Sequence, residues 1–399
     1  MKIAVEPMLL EPYRKLSAFF GGGIYEFKNS PDWDNIGNYF ISKALVDILD
    51  FQDAVLLSKN SSDDAIKYVN ENCSVYIIRG ATMLGKGKIS DYLPVNFVSK
   101  IKIPIVWIGY GPESPLGVKN IELTRDDVYV LKYIHDNSYG SIVRGDTSAE
   151  VLNKHGIRNV YPLGCPTIYW SKMPENKIRQ PSWDDVAWSW REYLYSPNME
   201  DELRNKQFKA VSMCRDKSSR LSIIMQDMSE RHWVEYSMAN KQGGIFEYFD
   251  SLSWPPRLIK KHVHLDKLDD SIQEKYKNYS YRELINWMKN NIFYSFDVHS
   301  YHKEINSKTF VLGCRLHGNM IGLSHGTPAY FYAYDERIKE LVDLLKVPYG
   351  SFSSEEFLIP NLDELDYSLY EKQYKSLYVD FYDFLKKSSI KNNLQSPYV

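Results

Sequence analysis

Through the first half of the chain, short β-branched runs alternate with amphipathic segments, and that alternation is the strongest constraint on the fold. Ala54–Leu57, Val75–Ile78, Ile103–Gly109, Ser141–Val143 and Asn159–Pro162 are short, apolar and bounded by polar or turn-forming residues, which predicts strands. Asn38–Asp50, Asp63–Glu71, Asp126–His135 and Thr147–His155 carry apolar residues at helical spacing between them, with Asp146 or Thr147 suited to cap the last. Strand and helix in turn require a crossover after every strand. The expected product is a mostly parallel sheet covered by helices on both faces.

The pattern weakens between Ser171 and Lys206, where Pro174, Pro181 and Pro197 stand among three tryptophans and many charges. This stretch reads as an interdomain connection (residues 176–206), with helix around Trp183–Tyr193. A second α/β series follows. Phe208–Cys214, Phe293–Phe296, Thr309–Leu312 and Ala329–Tyr332 read as strands; Arg220–Ser229, Leu316–Ser324 and Glu336–Leu345 read as helices. Residues 1–175 and 207–350 would then be two Rossmann-like domains with parallel sheets facing a central cleft. In residues 351–399, Leu369, Tyr370, Tyr374, Leu377, Tyr378, Phe381 and Leu385 form a helical stripe suited to packing on those domains. In such folds, ligands bind beyond the carboxyl ends of the strands, so candidate residues are sought in the loops that follow strands.

Composition narrows the chemistry. A chain of 399 residues can build two cores, and 49 basic against 51 acidic residues give no global field for nucleic acid. The 31 tyrosines could form flat sugar-binding surfaces, although packing with the hydroxyl at the surface accounts for them as well. The four cysteines form no C-x-x-C pair, so neither a metal site nor a disulfide framework is expected. His262 with His264 and His299 with His302 lack a third ligand at metal spacing. Neither a leader-like apolar region nor a stretch long enough for a membrane helix is evident, so a cytoplasmic location is expected. Peripheral contact with a membrane stays open.

The clearest local constellation is Thr309-Phe310-Val311-Leu312-Gly313-Cys314-Arg315-Leu316-His317-Gly318-Asn319. A buried strand would deliver Arg315 to the cleft, and the first turn of the next helix would carry His317. Helix starts favour anions, Arg matches phosphate or carboxylate, and His can move a proton near neutral pH. Ser141-Ile142-Val143-Arg144-Gly145-Asp146 repeats the layout of strand, Arg and helix start, and Arg215 would open the second domain in the same way. Gly80-Ala81-Thr82-Met83-Leu84-Gly85-Lys86-Gly87 approaches a P-loop but has Gly87 where Ser or Thr should hold magnesium, and reads better as a loop at the cleft. Cys165 in Leu163-Gly164-Cys165-Pro166-Thr167 would be a nucleophile only beside a base; a small residue in a tight turn is the simpler reading.

These stretches, with Asp34-Asn35-Ile36-Gly37-Asn38, Gly109-Tyr110-Gly111-Pro112, Gly326-Thr327-Pro328-Ala329 and Tyr334-Asp335-Glu336-Arg337, resemble in order and spacing the polysaccharide pyruvyl transferase family over about residues 30–350. The resemblance implies a GT-B-like fold and transfer of a pyruvyl group from phosphoenolpyruvate to a sugar, as a ketal, without a nucleotide cofactor. It implies His317 and Arg315 as catalytic residues, and Arg144, Arg215, Arg315, Arg337 and Gly318 around the donor. Asn35, Gly37, Gly80, Tyr110 and Glu113 are further cleft candidates. Asn38 replaces the acid usual in that motif, and the family's glycine-rich strand end is reduced to Arg79-Gly80-Ala81. A glycosyltransferase using a nucleotide sugar, or a binding protein on the same frame, would use the same arginine-rich loops; donor preference separates the three.

Overall fold

The computed structural model describes residues 2–6, 37–51, 54–112, 114–191, 197–226, 291–293, 298–351 and 358–398. Its frame is two all-parallel sheets. The first contains β1 (Lys2–Val5), β2 (Val55–Leu56), β3 (Cys73–Arg79), β5 (Ile105–Pro112), β6 (Ser141–Val143) and β7 (Val160–Pro162) in the order β2-β1-β3-β5-β6-β7, with β4 (Thr82–Leu84) beside the end of β5. The second contains β8 (Asp185–Ser189), β9 (Arg220–Ile224), β10 (Ile292–Phe293), β11 (Phe310–Gly313), β12 (Ala329–Ala333) and β13 (Tyr349–Ser351) in the order β10-β9-β8-β11-β12-β13. This is the GT-B-like α/β architecture expected. β5 is buried along its whole length, as a parallel strand covered on both faces must be.

In the first half, α1 (Gly37–Ile48), α2 (Asp63–Asn72), α3 (Arg125–Asp136) and α4 (Asp146–Lys154) fall where the pattern puts them. Local chemistry sets their starts. Ser62 accepts from the Ala65 amide ahead of α2, and Thr124 with Asp127 forms a reciprocal capping box on α3. For α4 neither Asp146 nor Thr147 is the cap; Gly145 holds that place in extended conformation without a side-chain bond.

The region around the expected connection differs most. Trp183–Tyr193 was expected to be helical, but β8 lies within it and is a central strand of the second sheet, between β9 and β11. Phe208–Cys214 is not a strand but the inner part of α5 (Pro197–Lys217), and β9 replaces the helix expected from Arg220. Gln207, Ala210, Val211 and Cys214 are buried, at i, i+3, i+4 and i+7. Phe208, Ala210, Val211, Met213 and Cys214 stand close together in sequence, and so dense an apolar run reads as a strand although its buried positions follow a helical period. β8 is held by Lys308, whose wholly buried ammonium meets Asp185 at 2.9 Å and Glu304 at 2.7 Å and donates to Ser222. A buried cation needs such partners.

The second half also carries α6 (Val298–Asn306), α7 (Leu316–Ser324), α8 (Glu336–Leu345) and α9 (Ser368–Lys387). The tyrosine stripe of α9 is packing, as expected: Tyr370, Tyr374, Tyr378 and Phe381 are buried, and Phe381 stacks on Tyr169 at 4.3 Å. One apolar core joins residues of both sheets with α9, and a second lies on the other face of the first sheet.

Candidate active site

Three arginines of the site stand at or just beyond strand ends, and a fourth stands in the first turn of a helix. β11 ends at Gly313, whose φ of +138° suits glycine, and a Cβ there would lie 2.5 Å from the Ser189 carbonyl oxygen. The chain then delivers Arg315 as the N-cap of α7. Its guanidinium Nε donates to the Trp190 carbonyl at 3.2 Å, so the side chain lies across the end of β8. Arg144 directly follows β6, is 1% exposed, and its Nε donates to the Gly109 carbonyl at 3.1 Å. Arg144 Nη1 is buried and has no hydrogen-bond partner among the described residues. β3 ends at Arg79, also 1% exposed, beside the Glu6 carboxylate at 3.4 Å. Arg337, in the first turn of α8, pairs with Asp335 at 2.9 Å and donates to the Tyr334 hydroxyl.

These four arginines surround one histidine. His317 lies in the first turn of α7, 8% exposed. Burial, followed by the charges of Arg144, Arg337, Arg315 and Arg79, holds its imidazole well below the ordinary histidine range. The ring is therefore neutral at physiological pH. Its Nε2 is 3.8 Å from Cys165 Sγ, which also accepts a hydrogen bond from the Thr167 hydroxyl at 3.1 Å. Asn319 secures the helix start: it donates to the Gly313 and Tyr330 carbonyls and accepts from Ser189 Oγ.

The two halves are tied together beside this cluster. Glu336 accepts from the Thr147 hydroxyl and the Gly117 amide, and Glu340, one turn later, accepts from both the amide and the hydroxyl of Ser148. Burial pushes the Glu340 carboxyl up to about 8, against the Ser148 bonds and the Arg144 charge. The fit requires glycine on the facing strand end and loop: a Cβ at Gly111 would meet Glu340 Oε1 at 2.9 Å, and one at Gly145 would meet the Glu340 carbonyl oxygen at 2.8 Å. The charges of Arg144 and Arg79, from the first half, and of Arg315 and Arg337, from the second, thus all bear on one imidazole.

The polysaccharide pyruvyl transferase family model matches residues 35–336 of the 399. The chain belongs to the polysaccharide pyruvyl transferase family. No curated protein matches it in sequence. Among solved structures it is similar to the UDP-GlcNAc 2-epimerase of Methanocaldococcus jannaschii in complex with UDP-GlcNAc and UDP, at 12% identity and a TM-score of 0.41, covering 100% of this chain and 96% of that one. It is also similar to the wall teichoic acid polymerase TagF, at 12% identity and a TM-score of 0.33, covering 97% and 84%.

Against this family, the structure sorts the candidates read from sequence. Arg315, His317, Arg144 and Arg337 come together. Arg215 does not: it sits in the last turn of α5, partly exposed, 3.9 Å from Asp216, because the segment before it is helix and no strand delivers it to the cleft. Tyr110 is a core residue, wholly buried and stacked on Trp107 at 4.5 Å. Gly80 and Gly318 serve close packing; a Cβ on Gly80 would fall 2.2 Å from the Gly109 backbone, and one on Gly318 would fall 2.9 Å from Ser189 Cβ. Gly37 is the buried first residue of α1. Asn35 and Glu113 lie outside the described residues, as do His262 and His264. Lys86 is exposed and pairs with Glu122, and the Gly87 amide donates to Asp127, so the Gly85–Gly87 turn is no phosphate cradle. His302 packs between Trp170 and His325.

Three features of the site were missed. Arg79 repeats the Arg-Gly strand end of Arg144-Gly145, and that repetition was available as a signal. The Cys165–His317 contact and the Glu336–Glu340 clasp join residues far apart in sequence and had none. A cavity of about 610 Å³ lies elsewhere, against α9; it is lined by Asp146, Asp343, Asp380 and Asp383 and by none of the arginines, so it does not suit the same anion. Among the described residues, no helix is long and apolar enough to cross a membrane.

Proposed function

We propose that this transferase moves a pyruvyl group from phosphoenolpyruvate to two hydroxyls of a sugar in a polysaccharide or its precursor, forming a ketal. The observation that carries the reading is that the charges of Arg144, Arg337, Arg315 and Arg79 all bear on buried His317, whose imidazole they and its burial hold neutral. Two of these cations already face a carboxylate, Arg79 with Glu6 and Arg337 with Asp335. Arg144 is held at Nε by a backbone carbonyl and its buried Nη1 has no hydrogen-bond partner among the described residues, which leaves its charge to be balanced by a ligand. Phosphoenolpyruvate offers a phosphate and a carboxylate a few bonds apart, matching guanidinium groups delivered from both sheets.

In the proposed reaction the C3 methylene of the donor gains a proton and becomes a methyl group. C2 turns electrophilic and takes the first sugar hydroxyl, which gives up its own proton. The bond from C2 to the phosphate oxygen breaks, and the arginines hold the charge that collects on the departing phosphate. A second hydroxyl then bonds to C2 and closes the ketal, its proton passing to the released phosphate. His317 carries the proton at this centre, to the methylene or from the attacking hydroxyl. A bound polyanion offsets the arginine field, so the ring gains proton affinity only when the donor is present. The scheme needs neither metal nor nucleotide cofactor.

Thermal unfolding with phosphoenolpyruvate and, separately, a panel of nucleotide sugars tests the donor. A ligand at 100 times its dissociation constant adds about 2.7 kcal/mol of stability. The expected result is a rise in Tm with phosphoenolpyruvate alone, lost in Arg315→Ala. A rise only with a nucleotide sugar would replace this reading with a glycosyltransferase.

A further inference from the structure

The turn that carries Cys165 is built to place it. β7 ends at Pro162, Gly164 takes a φ of +86°, and Cys165 precedes a 3-10 turn over Pro166–Tyr169. Gly109, at φ +82°, comes so close to this turn that a Cβ would lie 2.6 Å from Pro166 Cδ. Both Cys165 and Thr167 are fully buried. The thiol has two neighbours of different kinds: the Thr167 hydroxyl donates to Sγ at 3.1 Å, and the His317 Nε2 lies at 3.8 Å. A buried small residue needed only for space would not require either. With a donor already supplied by Thr167, the thiol's own proton is free to point at the ring, where Nε2 can accept it. Nδ1 bonds to no described residue and is left for the reacting atoms.

We propose that Cys165 is a positioning residue for His317: the relay from Thr167 through Cys165 pins Nε2, fixes the ring in the Nδ1–H tautomer and turns Nδ1 toward the donor. The tautomer of a histidine is set by the bond its other nitrogen makes. No covalent step is assigned to the thiol, and its burial within the turn suits a group that aims another rather than one that attacks. The assignment deepens the pyruvyl transfer reading, in which His317 carries the proton.

The test is nitrogen NMR of full-length protein labelled at histidine, with the His317 signals identified by their loss in His317→Gln. In wild type, His317 should show one protonated and one unprotonated nitrogen at fixed, separate shifts. In Cys165→Ala the two shifts should move toward each other as the tautomers mix, and Cys165→Ser, which keeps a donor, should restore the separation. Identical His317 shifts in wild type and Cys165→Ala would overturn the proposal, even if the alanine variant is less stable. Adding phosphoenolpyruvate to the wild type separates the two readings. A shift of the His317 signals supports the donor assignment. Its absence overturns that assignment, while the comparison of wild type with Cys165→Ala still decides the role of the thiol.

Discussion

Arg144 and Arg215 look alike in sequence, each an arginine after an apolar run, yet one enters the site and the other lies on a helix. Arg144 follows a true strand and is followed by Gly145, which lets α8 pack against the loop. Arg215 lies in the last turn of α5 and precedes Asp216, which it meets at the surface. Arg79 obeys the Arg144 pattern, with Gly80 in backbone contact with Gly109. At Arg79 and Arg144 the position after the arginine has no side chain to block the neighbouring layer. Desolvation completes the difference. Arg144 is buried and its guanidinium has no salt bridge among the described residues, whereas Arg215 is partly exposed.

The comparison can be broken at its centre first. His317→Ala should lower turnover by roughly 10²–10⁴-fold, the usual contribution of a positioned acid or base. Donor affinity should change far less, and equal losses in both would remove His317 from proton transfer. Arg144→Ala should raise the donor dissociation constant about 10–100-fold, since a hydrogen bond to a charged group contributes ~1.5–3 kcal/mol. The same change takes away a charge that depresses the His317 pKa, so the acid limb of kcat/KM should move up toward the ordinary histidine value. An unmoved limb would place Arg144 outside the field of the ring.

Glu340→Gln sharpens the comparison from the opposite side of the interface. The folded state raises the Glu340 pKa to about 8, which favours its protonated form. That contribution to stability is complete below the unfolded carboxyl value and is lost as pH rises through about 8. Wild type should lose stability relative to Glu340→Gln across this window, on the order of a few kcal/mol, and the gap should level off above it. Parallel Tm curves would show that the carboxyl does not titrate there. Arg215→Ala gives the smallest effect, with donor affinity within about twofold of wild type.

Much of this was legible in the sequence. α7 and α8 were read at their observed limits because each begins at a clear punctuation, Arg315 after Gly313 and Asp335 before Glu336. Asp335 indeed caps α8 by accepting from the Ile338 amide. β8 was missed because its apolar part, Val186-Ala187-Trp188, is three residues long and flanked by tryptophans and charges; its place depends on Lys308, more than a hundred residues away. The convergence of Arg79, Arg144, Arg315 and Arg337 could not be read for the same reason, since it exists only once the two sheets face each other. Tyr110 failed as a cleft residue because a glycine-flanked aromatic at a strand end can turn into the core as readily as out of it, and the stack on Trp107 decides the matter.

The most direct test of the account is a calorimetric titration of phosphoenolpyruvate into wild type, Arg144→Ala and Arg215→Ala under one set of conditions. The account predicts saturable binding to wild type and Arg215→Ala with similar dissociation constants, and binding to Arg144→Ala weaker by at least about tenfold. Equal affinity in all three, or no binding to wild type, would contradict the claim that the arginines around His317 hold the donor.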